Sequence, residues 1–319
     1  MAEYKAIRGH TIRTIAGDPS PLVVGDIWYS STTKKIRGAK LAAGAWASGG
    51  AANTARSEMG GAAGTQTATL IFGGQPDPLG KLNESYDGSS WTEAADLNSI
   101  HYYGAGLGTQ TAALCVTGNP SQQTNVESWN GTSWTEIANV NTGRWGAGSS
   151  KSGTSTAATI AAGKTTADVA VAETWDGSSW TESPDLSTAR RQVASCGESA
   201  TSMLVISGMP SPKTVVESYD GSSWTETGDV GASRYAGGGA GSVTDALFSG
   251  GGPSSTANEE FNGSAWAETA NLPTAHDAGA SAGTGISAIV ASGRNPGGAA
   301  HTGTAEWSRS LATQTVAFD

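Results

Sequence analysis

"ESYDGSSWTE" occupies residues 84–93 and returns letter for letter at 217–226. Variants stand between and beyond: "ESWNGTSWTE" from Glu127, "ETWDGSSWTE" from Glu173 and "NEEFNGSAWAE" from Asn258. A sixth version, "TAEWSRSLATQ" from Thr304, has neither the turn dipeptide nor the second Trp. Taking the Trp of "SWTE" as a register mark gives Trp91, Trp134, Trp180, Trp224 and Trp266, at steps of 43, 46, 44 and 42 residues. Trp46 in "GAWASGG" lies 45 residues before the first of them. Ten residues after each of the six Trp comes a basic side chain: Arg56, His101, Arg144, Arg190, Arg234 and His276.

Within one period the sequence reads as strands. A stretch of small residues such as "GGAAG" leads to a polar turn, then to a short apolar run, "ATLIFGG" or "AALCVTG", rich in strand formers. After a variable loop comes a strand carrying Tyr86, Trp129, Trp175, Tyr219 or Phe261. Asp-Gly or Asn-Gly follows, a dipeptide suited to the positive φ of tight hairpin turns, and the register Trp then opens a fourth strand. Each period is thus four short strands.

Composition supports a folded repeat. The 319 residues include 45 Gly and only 14% charged residues, yet 11 Trp are regularly placed, which disordered chains lack. A net charge of −10 is unfavourable for phosphate backbones and for anionic membrane surfaces, so neither nucleic acid nor membrane is expected as a partner. No apolar run approaches a membrane span, and "MAEYKAIRGHTIRT" has no apolar core of a secretory signal, so export, if any, is expected by another route. Cys115 and Cys196 fall at different repeat positions and read as small buried residues, not as a disulfide framework.

A repeated four-stranded unit of this length is the signature of a β-propeller blade. The Gly pair after the second strand (Gly73-Gly74, with Gly118, Gly163, Gly208, Gly250 and Gly293 in the same role), the third-strand aromatic and the fourth-strand Trp together resemble the Kelch repeat over residues 41–310. In four units the second Gly reads as replaced, by Asn119, Lys164, Met209 and Arg294. The resemblance implies an all-β, six-bladed propeller, with Trp46, Trp91, Trp134, Trp180, Trp224 and Trp266 as structural marks. "GAWASG" is a fourth strand with no blade before it, and "TAEWSRS" a third strand with none after it. The strand around Trp46 is therefore expected beside the strand around Trp307, closing the ring and removing an exposed edge.

Residues 1–40 do not fit the repeat. "GDIWYSS" reads as a strand, "STTKK" as a turn and "IRGAK" as a basic strand. This form is similar to segments near the attachment ends of bacteriophage tail-fibre and adhesin proteins. The wording "NTAR…GTQTA…FGG…YDGSSWTE" resembles Kelch-type virion proteins of marine tailed phages. The resemblance implies a virion location, with residues 1–40 docking on other tail or capsid proteins and the propeller facing a host-surface glycan or receptor. A passive arm is the alternative, and homo-oligomerisation is left open. The tail 311–319 alternates apolar residues, but nothing in the sequence places it.

No catalytic constellation emerges, and neither a cofactor nor a metal site is expected. A sialidase Asp box needs Ser-x-Asp-x-Gly-x-Thr-Trp, whereas Asp87 and Gly88 are adjacent. No carboxylate breaks the repeat as a catalytic one should. Clustered His, Tyr and Cys for a metal oxidase are missing, since His10, His101, His276 and His301 are scattered. Sequons at Asn83, Asn130 and Asn262 read as hairpin residues. What remains is a binding surface. The six basic residues should ring one mouth of the channel, either contacting a ligand or bonding backbone carbonyls of the neighbouring blade. The next position varies (Ser57, Tyr102, Trp145, Arg191, Tyr235, Asp277), with Tyr103 adding an aromatic. Aromatic rings beside cations suit sugars. The expectation is therefore a non-enzymatic virion adhesin with candidate ligand contacts at the basic ring, Tyr102, Tyr103, Trp145 and Tyr235. A polysaccharide-degrading or sialidase-like enzyme, an intracellular interaction scaffold and a purely architectural virion protein are the alternatives.

Overall fold

The computed structural model describes residues 12–210 and 214–316, in strands, turns and loops apart from a single helical turn at Leu79–Lys81. The first part of the 1–40 segment, including His10, and the last three residues of the 311–319 tail lie outside the described residues. The chain divides into two compact units, residues 45–308 and a terminal unit of residues 1–44 with 309–319.

Residues 45–308 form six four-stranded antiparallel sheets in a propeller-like arrangement. Sheet 1 comprises Gly61–Thr65, Ala68–Phe72, Asn83–Tyr86 and Trp91–Ala94. Sheets 2 to 6 start at Ala105–Thr109, Gly148–Ser149, Ala194–Ser199, Gly238–Gly241 and Ala280–Gly283. The sixth takes its fourth strand from the other end of the chain: Thr304–Ser308 pairs antiparallel with Ala45–Ser48, placing Trp307 opposite Trp46. First strands neighbour one another in order, and that of sheet 6 abuts that of sheet 1.

Both faces of the second strands are buried, which is why those runs are continuously apolar instead of alternating. In Ala68–Phe72, Leu70 and Phe72 pack toward Trp129 and Trp134 of sheet 2, while Ile71 packs toward Ile289 of sheet 6. Each junction between successive sheets encloses its own apolar cluster. Examples are Leu114 with Ile160 between sheets 2 and 3, Leu204 with Phe248 between 4 and 5, and Leu247 with Trp307 between 5 and 6. The core is thus a set of wedges between sheets.

The unusual Gly and Ala content has a positional cause. First strands converge on the axis, where there is little room for large side chains. A Cβ on Gly61 would stand 2.5 Å from the Cα of Gly106, and one on Gly239 2.3 Å from the carbonyl oxygen of Ser195. The third-strand aromatic stacks on the register Trp in every sheet: Tyr86–Trp91, Trp129–Trp134, Trp175–Trp180, Tyr219–Trp224, Phe261–Trp266 and Trp307–Trp46, with ring centroids 4.8–5.4 Å apart. Such pairs add roughly 0.5–1.5 kcal/mol beyond their buried area.

The glycine register differs from the sequence reading. Gly74, Gly118, Gly163, Gly208, Gly251 and Gly293 are equivalent, with φ of 104–117°. A Cβ at Gly118 would sit 2.9 Å from the carbonyl oxygen of Tyr102, and its equivalents are similarly obstructed. The residue before each has φ of 55–66°, a left-handed conformation adopted here by Thr117, Ala162 and Ser207 as well as by Gly73. The replaceable position is therefore the first of the pair. Asn119, Lys164, Met209 and Arg294 lie beyond the invariant Gly, where they bridge to Tyr102, Trp145, Arg191 and Asp277.

The terminal unit supplies a seventh four-stranded sheet where the repeat alone counts six. Its order is Arg13–Ile15, Ile27–Ser30, Lys35–Leu41 and Leu311–Thr315. The strands expected in "GDIWYSS" and "IRGAK" form and pair with each other. The C-terminal segment adds to the latter, Leu311 opposite Leu41, and Arg13–Ile15 joins in parallel to Trp28–Ser30. Trp28 is buried, while Val23 and Val24 are more than half exposed.

Candidate functional site

The six basic residues are a buried frame. Arg56, His101, Arg144 and Arg190 are fully buried and Arg234 and His276 nearly so. The partners missed in the sequence are the glutamates of the third strands, which repeat in the same phase as the Trp. Arg56 meets Glu84 at 2.7 Å, Arg144 meets Glu173 at 2.6 Å, Arg190 meets Glu217 at 2.8 Å and Arg234 meets Glu259 at 2.7 Å. His101 lies 3.4 Å from Glu127. The arginines also donate to carbonyls, but to those of their own sheet: Arg56 to Gly73 and Leu82, Arg190 to Ser207 and Val215. The carboxylates accept backbone N–H groups from the preceding loop, as Glu84 does from Asn53 and Glu127 from Asn98 and Ser99. Each pair therefore pins the incoming loop to the third strand. Burial lowers the pKa of all four arginines, with the facing glutamate opposing the shift.

Sheet 6 departs from this rule. Ala305 stands where the other five sheets carry Glu, and His276 faces no carboxylate there; its ring packs edge-on against His301 at 4.6 Å. Burial pushes the His276 imidazole down to about 4, so it is neutral, with Nδ1 bonded to the Ser292 carbonyl. His101 moves the other way. Burial disfavours its cation, but Cys115 and Glu127 outweigh that and raise its pKa, while Glu127, although pushed up by burial, is held down by His101 and two backbone N–H groups.

Two residues beyond each basic residue lies a left-handed position: Glu58, Tyr103, Gly146, Gln192, Ala236 and Ala278, with φ of 50–69°. Their backbones bond in sequence around the axis. Tyr103 N donates to Glu58 O, Gly146 N to Tyr103 O, Gln192 N to Gly146 O, Ala236 N to Gln192 O and Ala278 N to Ala236 O, at 2.7–2.9 Å. Met59 N, one residue beyond Glu58, donates to Ala278 O at 3.4 Å. Positive φ is unfavourable for bulky side chains. Here it is the geometry that lets neighbouring sheets bond through their backbones.

The variable side chains lie on and beside that circuit. Tyr103 stacks on Trp145 with centroids 5.4 Å apart. Lys164 Nζ and Arg191 Cζ lie 5.8 and 5.7 Å from the Trp145 ring, and Arg191 also binds Asp168 at 2.6 Å. On the other side Arg294 bridges Glu58 and Asp277, both at 3.2 Å. Burial raises the Tyr103 phenol, reinforced by Glu58, and raises Asp277 against the pull of Arg294. Among the predicted contacts, Tyr103 and Trp145 are therefore brought together as a half-buried aromatic pair beside cations. Tyr102 and Tyr235 are also half-buried but stand apart from it, Tyr235 covering Gly252 so closely that a Cβ there would be 2.3 Å from its ring. Ser57 and Asp277 are buried.

The Asp-Gly hairpins are turns in full. Asp87 Oδ1 accepts from the Ser89 N–H, the Ser89 hydroxyl and the Ser90 N–H, each at 2.8 Å. Asp176 and Asp220 repeat the pattern, and these bonds lower all three carboxyls to about 2. Asn130 and Asn262, both in sequons, accept the same backbone N–H groups. Cys115 and Cys196 are buried free thiols. Among the described residues no cluster of three or more His, Cys, Asp or Glu could hold a metal ion, and no helix is long and apolar enough to cross a membrane.

No protein-family model and no curated protein matches this chain. Among solved structures it is similar to YjhT, with a TM-score of 0.68 at 13% identity over 83% of this chain and 99% of that one. At that identity the likeness shows the fold alone: an all-β protein of four-stranded sheets in a β-propeller arrangement.

Proposed function

We propose that this chain is a non-enzymatic virion protein of a tailed bacteriophage. Its six Kelch-like blades form a ring closed at Trp46 and Trp307, and it recognises a glycan on the host surface. The phrase-level resemblance of the repeat and of residues 1–40 to phage proteins supports the virion setting, with the terminal unit docking on other virion proteins. The observation that carries the recognition reading is the pair Tyr103–Trp145 flanked by Lys164 and Arg191. Pyranose C–H faces stack on such rings, while hydroxyls and acid groups bond to the adjoining cations and carboxylates. The rim carboxylates Glu58, Asp277 and Asp168 are each held by an arginine, which favours binding over general acid–base chemistry.

Glycan-array and host-cell binding by the protein test this reading. Trp145→Ala and Tyr103→Ala are expected to abolish retention while leaving the melting temperature within a few degrees. Retention on the virion with no host-cell binding by the wild-type protein would overturn it in favour of a purely architectural role. New reducing or unsaturated ends released from host polysaccharide would overturn the non-enzymatic part.

A further inference from the structure

A second feature lies on the axis, next to the rim, where Tyr103 also lines it. A cavity of about 80 Å³ is lined by residues of all six first-strand segments, among them Ala62, Gly106, Ser149, Ser195, Gly237 and Ser281. That is room for a few waters or one carboxylate-sized group. Its described lining contains one charged side chain, Lys151, and no Asp or Glu. Lys151 is there because the first turn of sheet 3 is longer than its counterparts, running from Ser149 to Ala158 where sheet 1 needs only Thr65 to Ala68.

The backbone of this lysine is fixed on both sides. Its carbonyl accepts from Gly108 N of sheet 2, and the next residue, Ser152, donates its N–H to Gly197 O of sheet 4. The ammonium reaches across the axis to sheet 6, donating to Ser281 Oγ at 2.5 Å and to Ser281 O at 3.2 Å. An ammonium has three donors, so one is left for the cavity. Two of the serine hydroxyls around it are committed elsewhere, Ser149 donating to Gly106 O and Ser281 to Gly239 O.

Lys151 is half-buried, and a partly desolvated cation with no carboxylate in its described surroundings is eased by deprotonation or by an anion. Burial lowers the Lys151 pKa only to about 8, so the cation predominates at neutral pH. The titratable neighbour, Cys196, is pushed up to about 12 by burial and offers no negative charge there.

We propose that the axial cavity binds a small oxyanion, a free carboxylate or the acid group of a larger ligand, with Lys151 as its counter-charge. The cavity shares Tyr103 with the proposed glycan site, but this proposal rests on Lys151 and Ser281 and not on the Tyr103–Trp145 pair.

The test follows the Lys151 Cε–H resonance against pH in the full-length protein, in chloride and then in formate at equal ionic strength. The midpoint in formate is expected about one pH unit higher, and formate should raise the melting temperature of wild type by a few degrees while leaving Lys151→Met unmoved. A midpoint unchanged between the two anions overturns the proposal, as does equal stabilisation of Lys151→Met. A parallel titration with glucuronate separates the sources. A shift with both acids identifies the acid group of a larger ligand, and a shift with formate alone identifies a free ion.

Discussion

Trp307 and Trp46 stand opposite each other on paired strands, their ring centroids 5.4 Å apart. They reproduce, with residues from the two ends of the repeat region, the stack that Tyr86 and Trp91 make within a single hairpin. The sixth sheet thus depends on a contact that no local turn supports, and its loop-closure entropy spans nearly the whole repeat region. Removing residues 1–48 leaves the third strand of sheet 6 as an open edge and is expected to lower the melting temperature sharply. Trp46→Ala should cost about 2–4 kcal/mol in urea denaturation, whereas an unchanged midpoint would show that the closing strand is dispensable.

The Arg190–Glu217 pair predicts a sign pattern. Glu217→Ala leaves a buried guanidinium without its carboxylate and should cost roughly 3–5 kcal/mol. The double variant Arg190→Met/Glu217→Leu removes both charges and should be less destabilised than Glu217→Ala alone, read from a double-mutant cycle of unfolding free energies.

Equivalent histidines in sheets 2 and 6 titrate in opposite senses, because His101 lies beside Cys115 and Glu127, whereas His276 has Ala305 in place of the glutamate. His276 has a folded pKa of about 4, below its ordinary 6.5. The unfolded chain binds a proton that the folded one refuses across that window. Its contribution is therefore complete above about pH 6.5 and lost as pH falls toward 4, roughly 3 kcal/mol in all. His276→Asn, which keeps a donor for the Ser292 carbonyl, should flatten the fall of melting temperature between pH 6.5 and 4. For His101 the pKa is raised, so its contribution is complete below about pH 6.5 and is lost as pH rises through the folded value.

The two glycine positions should respond differently. Gly118→Ala places a Cβ 2.9 Å from the Tyr102 carbonyl at φ 116° and is expected to cost about 2 kcal/mol or more. Thr117→Gly, at φ 58°, should stay within about 1 kcal/mol. Thermal melts of the two single variants decide it.

Some of this was legible in the residues because the repeat is local chemistry. Asp-Gly hairpins, apolar runs and register Trp recur at fixed spacing, and each depends on neighbours in sequence. The pairing of Trp46 with Trp307 could be read for the same reason: an orphan fourth strand and an orphan third strand have complementary deficits. The phase-locked glutamates were equally visible, but a Glu in a half-polar strand looks solvent-facing until the neighbouring loop covers it.

Sequence by itself determined the four-stranded unit, because turn propensity and strand alternation act over a few residues, but it counted six such sheets where the structure has seven. Only the tertiary structure decided that the basic ring is buried and, except at His276, paired with glutamates, that the second glycine is the obligatory one, and that the two chain ends outside the repeat share a sheet. It alone places Lys151 across the axis from Ser281. Those outcomes depend on which surfaces meet when six sheets converge, where Cβ atoms collide, carboxylates lose water, and residues far apart in the chain become neighbours.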